Sequence, residues 1–159
     1  MPTVKESNII FEAPNLLLQK FPAEEFTTTT KLTFHTRVSG ESTGLLIMGL
    51  DYSYLCLRND NGKLYLSQKT GSFDKKISET ETTPILISNN TIYLRVQVKK
   101  GGTCSFYYST DDKKYQPIGN NFTSKEGKWI GAKVGLFALS EKVTNDSGNV
   151  AVDWFRITK

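Results

Sequence analysis

The sequence predicts an all-β domain, a sandwich of two antiparallel sheets, and three observations carry that prediction. Apolar and polar residues alternate at period two along much of the chain, and no window of a dozen residues keeps a capped helical repeat. Short β-rich runs are separated by Gly, Asn, Asp and Pro turns.

The clearest strand is "TIYLRVQVK", where Ile92, Leu94, Val96 and Val98 share one face and Tyr93, Arg95, Gln97 and Lys99 the other. "KLTFHTRV" repeats the arrangement, with Leu32, Phe34, Thr36 and Val38 inward and Lys31, Thr33, His35 and Arg37 outward. In "YLCLRNDNGKLYLSQK", Leu55, Leu57, Leu64 and Leu66 flank Asn61-Gly62, the dipeptide that most strongly signals a two-residue hairpin. Further strands are expected at "NIIF", "NLLLQ", "TGLLIMGL", "TPILIS", "TCSFYYS", "YQPIG", "AKVGLFAL" and "VAVDWFRIT". Gly131, which directly precedes "AKVGLFAL", and Gly135 within it are read as lying inside one strand, where glycine permits a bulge or the close approach of a neighbour. "NNFTSKEGK" reads as a loop. With no internal repeat and no linker, residues 1–159 read as one domain, long enough to bury a core without disulfides.

Composition excludes several functions. The net charge of +4 comes from 20 basic residues scattered among 16 acids, in no run longer than a pair such as Lys99-Lys100. A nucleic-acid partner would want a concentrated basic face, so none is expected. No segment approaches the roughly 18 continuous apolar residues of a membrane helix, so no membrane partner is expected either. The charged, apolar and small-residue order of a signal peptide is also missing. Cys56 and Cys104 exclude a cysteine-rich zinc site and leave a disulfide open. The sequons at Asn89, Asn121 and Asn145 matter only in a eukaryotic secretory setting.

Catalytic constellations are sparse. His35 is the only histidine and an outward strand residue, which supports neither a Ser/His/Asp triad nor a multi-histidine metal site. Glu24-Glu25 and Asp111-Asp112 are adjacent pairs, and neighbours in an extended chain point to opposite sides. Glycosidic cleavage needs two carboxylates converging at roughly 5 to 9.5 Å, and no such pair is identifiable. Phosphate-cradling glycine motifs are missing.

Binding chemistry is better represented. The outward strand positions collect Tyr54, Arg58, Tyr65, Tyr93, Arg95, Gln97 and Tyr107. Aromatic rings stack on the C–H faces of sugars, and planar Arg and Gln groups hydrogen-bond to hydroxyls, so such a face suits carbohydrate. The plainer reading is that Tyr and Arg are simply good residues for half-exposed strands. Counting by twos puts Val152, Trp154 and Arg156 on one face and Asp153 on the apolar one with Ala151, Phe155 and Ile157. An acid so placed needs backbone amides or a cation; a structural calcium is the single cofactor candidate.

The motifs "NLLLQKFPAEEFTTTTKLTF", "TGLLIMGLDYSYLCLRNDNGKLYL", "FYYSTDDKKYQPIG", "GKWIGAKVGLFAL" and "VDWFRI", taken in order, span nearly the whole chain. This series resembles the C-terminal concanavalin A-like module of family-43 glycoside hydrolases of the β-xylosidase and arabinofuranosidase type. The resemblance implies a jelly-roll sandwich, noncatalytic, excised from a longer bacterial plant-polysaccharide hydrolase whose five-bladed propeller carries the catalytic acids. Its implied partners are that propeller and a xylan- or arabinoxylan-type saccharide, and its implied location is periplasmic or extracellular. In the family an aromatic residue just before the "GA-x-VG" strand reaches toward the propeller's active site, and Trp129 holds the corresponding position; the alternative is a Trp sealing the sandwich edge. Val150, Ala151 and Val152 stand where an acid is usual before the closing Asp, and Asp112 replaces a turn glycine, which weakens transfer of any family metal site. Two other readings remain, a stand-alone carbohydrate-binding module and a glycosidase or lyase with its own concave-face site.

Overall fold

A computed structural model describes residues 1, 4–5, 10, 15–72, 79–125, 131–141 and 146–159. In chain order the strands among them are β1 (Val4–Lys5), β2 (Leu16–Lys20), β3 (Phe26–His35), β4 (Glu41–Met48), β5 (Asp51–Asp60), β6 (Lys63–Ser72) and β7 (Thr80–Glu81). They continue as β8 (Ile85–Ile87), β9 (Thr91–Lys99), β10 (Thr103–Ser109), β11 (Gln116–Pro117), β12 (Phe122–Thr123), β13 (Lys133–Ser140) and β14 (Asn149–Thr158). An eight-stranded sheet runs β1-β13-β4-β5-β6-β7, with β2 beside β13 and β8 beside β6. A six-stranded sheet runs β11-β10-β9-β3-β14, with β12 beside β10. Pairing is antiparallel except between β1 and β13.

The alternation explains how the sheets meet. Leu32, Phe34, Ile92, Leu94, Val96 and Val98 from one sheet and Leu45, Ile47, Leu55, Leu57, Leu66 and Val134 from the other form one buried cluster. Burying each such side chain contributes roughly 1.5–3 kcal/mol, which makes this layer the main source of stability. The Asn61-Gly62 turn forms as expected: Asp60 pairs with Lys63, and φ is 50° at Asn61 and 87° at Gly62. Positive φ at both central residues is the type I′ turn whose twist matches that of the flanking strands.

Strand β3 differs from the alternation-based boundary. It begins at Phe26 and ends at His35 instead of Val38. The Thr27–Thr30 run extends it because β-branched threonines suit strands, and Thr28 and Thr30 are buried. It stops because the amides of Arg37 and Val38 turn to the Glu41 carboxylate, at 2.7 and 3.1 Å. "NIIF" lies outside the described residues except for Ile10, which is buried but not in a strand.

A second apolar cluster covers the outer face of the eight-stranded sheet, built from Ile10, Leu46, Met48, Tyr52, Tyr54, Cys56, Phe137 and Leu139. Sheets covered on both faces read as near-continuous apolar runs, and "TGLLIMGL" is such a run. Cys56 belongs to this outer cluster and Cys104 to the inner one, so both are buried thiols on opposite sides of the eight-stranded sheet and the disulfide alternative closes. Burial pushes the Cys104 thiol up to about 12. In the unfolded chain it would ionise near its ordinary value, about 8.5. Its contribution to stability is therefore complete below that pH and is lost as pH rises toward 12. Ellman's reagent at pH 8 is expected to leave Cys104 unmodified in the native protein and to titrate it after denaturation; fast native reaction would show that the site opens locally.

Candidate functional site

The outer face of the six-stranded sheet gathers several partly exposed aromatic and basic side chains. Strand register sets the arrangement: Lys31 of β3 pairs with Tyr93 of β9 on one side and Trp154 of β14 on the other. In the next outward row Thr29 lies between Arg95 and Arg156, and Tyr107 of β10 pairs with Arg95. A third row holds Gln97, Thr27 and Thr158. The two rings of the first row lie 6.0 Å apart between centroids, tilted by 46°.

Arg156 places its guanidinium carbon 4.1 Å from the centre of the Trp154 ring. The Arg95 guanidinium lies 3.5 Å from the centre of the Tyr115 ring, and its Nε donates to the Thr29 hydroxyl at 2.9 Å. Such cation–π stacking fixes a guanidinium in plane and leaves its outer edge for a ligand.

The segment "YSTDDKKY" explains how Tyr115 reaches Arg95. Asp111 accepts the amides of Lys113 and Lys114 at 2.9 and 3.0 Å and the Ser109 hydroxyl at 2.9 Å. Those donors, the Lys114 amide foremost, hold its carboxyl down to about 2. Asp112 takes the left-handed conformation at φ 61°, which Asp tolerates in place of glycine. The chain thereby doubles back, and the Tyr115 hydroxyl donates to Asp112. Partial burial, then that carboxylate, raise the Tyr115 phenol well above its ordinary range, so it stays neutral.

Four of the residues expected from sequence, Tyr93, Arg95, Gln97 and Tyr107, are brought together here. Tyr54 and Arg58 are not. Tyr54 faces outward from the other sheet but is only 3% exposed, because the second apolar cluster covers it, and its hydroxyl approaches Glu79 at 3.3 Å. Arg58 pairs with Glu141 at 2.8 Å. Trp129 lies outside the described residues.

Asp153 is the other correction. A bulge between Val152 and Trp154 shifts the register, so Val152 pairs with inward Leu32 while Trp154 pairs with outward Lys31. Asp153 is consequently solvent-facing and bound to Lys31 at 2.9 Å, an interaction that raises the Lys31 pKa mainly through the hydrogen bond. No group of three acidic, histidine or cysteine side chains that could hold a metal ion occurs among the described residues, and the Asp153 carboxylate is taken by Lys31.

Sequence reasoning missed Trp154, Arg156, Lys31 and Tyr115 as members of this face. The i, i+2 spacing of Trp154 and Arg156 was a usable signal, whereas nothing local announces that Tyr115 folds back. Several acids elsewhere are held by their own chain: Glu41 by backbone amides, Glu79 by the Tyr52 hydroxyl at 2.8 Å, and Glu81 by the Ser67 hydroxyl at 2.7 Å.

At the sandwich edge between β2 and β14, Leu17, Leu18, Val134, Leu136, Val152 and Phe155 line an open apolar groove of about 330 Å³. Leu17 is 59% exposed there.

Comparison with known proteins gives this architecture a family. Residues 3–158 match the family model described as the β-xylosidase C-terminal concanavalin A-like domain. A curated β-xylosidase from Formosa agariphila is 36% identical over 69 residues, which cover 43% of this chain and 11% of that protein. A bifunctional GH43-CE protein from Bacteroides eggerthii superposes with a TM-score of 0.86 at 20% identity, over 99% of this chain and 20% of that one. The GH43 protein BlXynB from Bacillus licheniformis superposes with a TM-score of 0.80 at 20% identity, over 99% of this chain and 32% of that one. The chain thus spans no more than about a third of the length of these relatives, and the structural likeness at this identity concerns the fold. With a match that runs almost from end to end and the predicted two-sheet jelly roll in place, this chain belongs to the family of C-terminal concanavalin A-like domains of β-xylosidases.

Proposed function

We propose that this chain is a noncatalytic accessory module of a xylan- or arabinoxylan-acting glycoside hydrolase that works outside the bacterial cytoplasm, packing on the catalytic propeller and helping to shape its sugar pocket. The observation that carries the reading is the apolar groove at the β2/β14 edge, where Leu17 and Val152 stay exposed beside Phe155. Exposed contiguous apolar surface of this kind marks an interaction site. In the same proposal Trp129 is the side chain that closes the pocket.

The test mixes this chain with a separately produced catalytic propeller of the same type and measures association and xylosidase turnover. Co-elution and a rise in kcat/KM are expected, with Leu17→Lys weakening association at least tenfold. Trp129→Ala should leave association intact and lower kcat/KM by about tenfold, the cost of roughly 1.4 kcal/mol of lost transition-state stabilisation. No association, with turnover unchanged by the added chain, would overturn the reading.

A second role is favoured by the Tyr93, Arg95, Tyr115 and Trp154 face, which suits direct sugar contact. Titration calorimetry of the chain with xylo- and arabino-oligosaccharides separates this role from docking, because it needs no propeller.

A further inference from the structure

Rings and hydroxyls are enough for a neutral sugar, but this face also carries cations that neutral sugars do not require. Lys31 is neutralised by Asp153 at 2.9 Å. Arg95 and Arg156 form no ion pair among the described residues, and both are stacked on rings of the same face. Both pair across the sheet with Thr29, one from each side, which places their backbones roughly 10 Å apart, two interstrand spacings.

Stacking strips part of the water from a guanidinium while leaving its charge, so an incoming anion gains more than it would from a fully hydrated lysine. The planar guanidinium fork matches a planar carboxylate through two parallel N–H···O bonds. In the adjacent outward row the Tyr93 and Trp154 rings flank Lys31 and provide the stacking surface that a pyranose needs. Carboxylate and pyranose occur together in a uronic acid.

We propose that the outer face of the six-stranded sheet binds uronate-bearing β-glycans, with Arg95 and Arg156 receiving sugar carboxylates and Trp154 and Tyr93 stacking on the rings. This rests on reading the face as a sugar platform, and it specifies the charge of the sugar. It does not depend on docking to a propeller.

The experiment is calorimetry on the 159-residue chain with three probes: a xylo-oligosaccharide bearing a glucuronic acid branch, the same oligosaccharide without it, and a sulfated xylo-oligosaccharide. The uronate-bearing probe is expected to bind at least tenfold tighter than the neutral one, with affinity falling as salt rises from 50 to 500 mM. Arg95→Gln and Arg156→Gln should each reduce that preference severalfold and together abolish it, while Arg95→Lys retains part. Trp154→Ala should weaken both carboxylated and neutral probes. Thermal unfolding of each variant checks that the sheet is intact; because Arg156 is exposed, Arg156→Gln is expected to fold normally.

Equal affinity for neutral and carboxylated probes, lost in Trp154→Ala, would keep the sugar platform and overturn its charge preference. Tighter binding of the sulfated probe would overturn the carboxylate assignment. Absence of binding to all three would overturn both readings of this face.

Discussion

Glu41→Ala is expected to destabilise the protein by about 3 kcal/mol, which corresponds to roughly 6–12 °C in Tm for a domain of this size. Glu41 is 0% exposed at the start of β4. Its carboxylate accepts the amides of Arg37 and Val38 at 2.7 and 3.1 Å, and that of Gly148 just before β14. Removing the side chain strands all three donors, and a buried unsatisfied group costs about 1–3 kcal/mol. It also removes a polar tie between the two sheets, because β4 lies in one and Gly148 leads into β14 of the other. Glu41→Gln keeps an acceptor and should lose about half as much. Urea unfolding of the three proteins is the measurement; a loss below about 1 kcal/mol for Glu41→Ala would mean that water reaches these amides.

Gly135→Ala is expected to cost about 2–3 kcal/mol, while Gly131→Ala changes stability by less than about 0.5 kcal/mol. A Cβ at Gly135 would lie 2.0 Å from the Leu17 carbonyl oxygen and 2.7 Å from Leu18 Cδ2. Gly135 sits between β2 and β4, paired with Leu18 and Leu46, so relief requires moving backbone. A Cβ at Gly131 would meet nothing within 4 Å among the described residues. The same substitution should also disturb the Leu17 edge, so Gly135→Ala is expected to weaken association with a catalytic propeller as well as lower the urea midpoint. A loss at Gly135 no larger than that at Gly131 would show that β2 yields to the added methyl without cost.

These two glycines show how far local pattern reaches. Both belong to one expected strand, yet β13 begins at Lys133 and leaves Gly131 outside it. The pattern located the close-packed segment but not the neighbour that makes it close, because β2 is over a hundred residues away in sequence. Glu41 carried no signal at all, since its donors come from a turn and from Gly148.

The candidate face divides in the same way. Tyr93, Arg95 and Gln97 were legible as a set because residues two apart on one strand must share a face. Tyr107 joined them when antiparallel pairing placed it against Arg95. Tyr54 looked equivalent by the same arithmetic, and it was lost because a second apolar layer covers its sheet.

By itself the sequence determined the two-sheet class, the Asn61-Gly62 turn, the inner core positions and the family motifs. All of these depend on backbone stereochemistry and side-chain periodicity within a few residues. Only the tertiary structure decided that one sheet is covered on both faces, that a bulge turns Asp153 from the core toward Lys31, and that Tyr115 folds back over Arg95. Each of those outcomes depends on which distant strand or loop arrives alongside, and a period-two pattern is the same whichever neighbour comes.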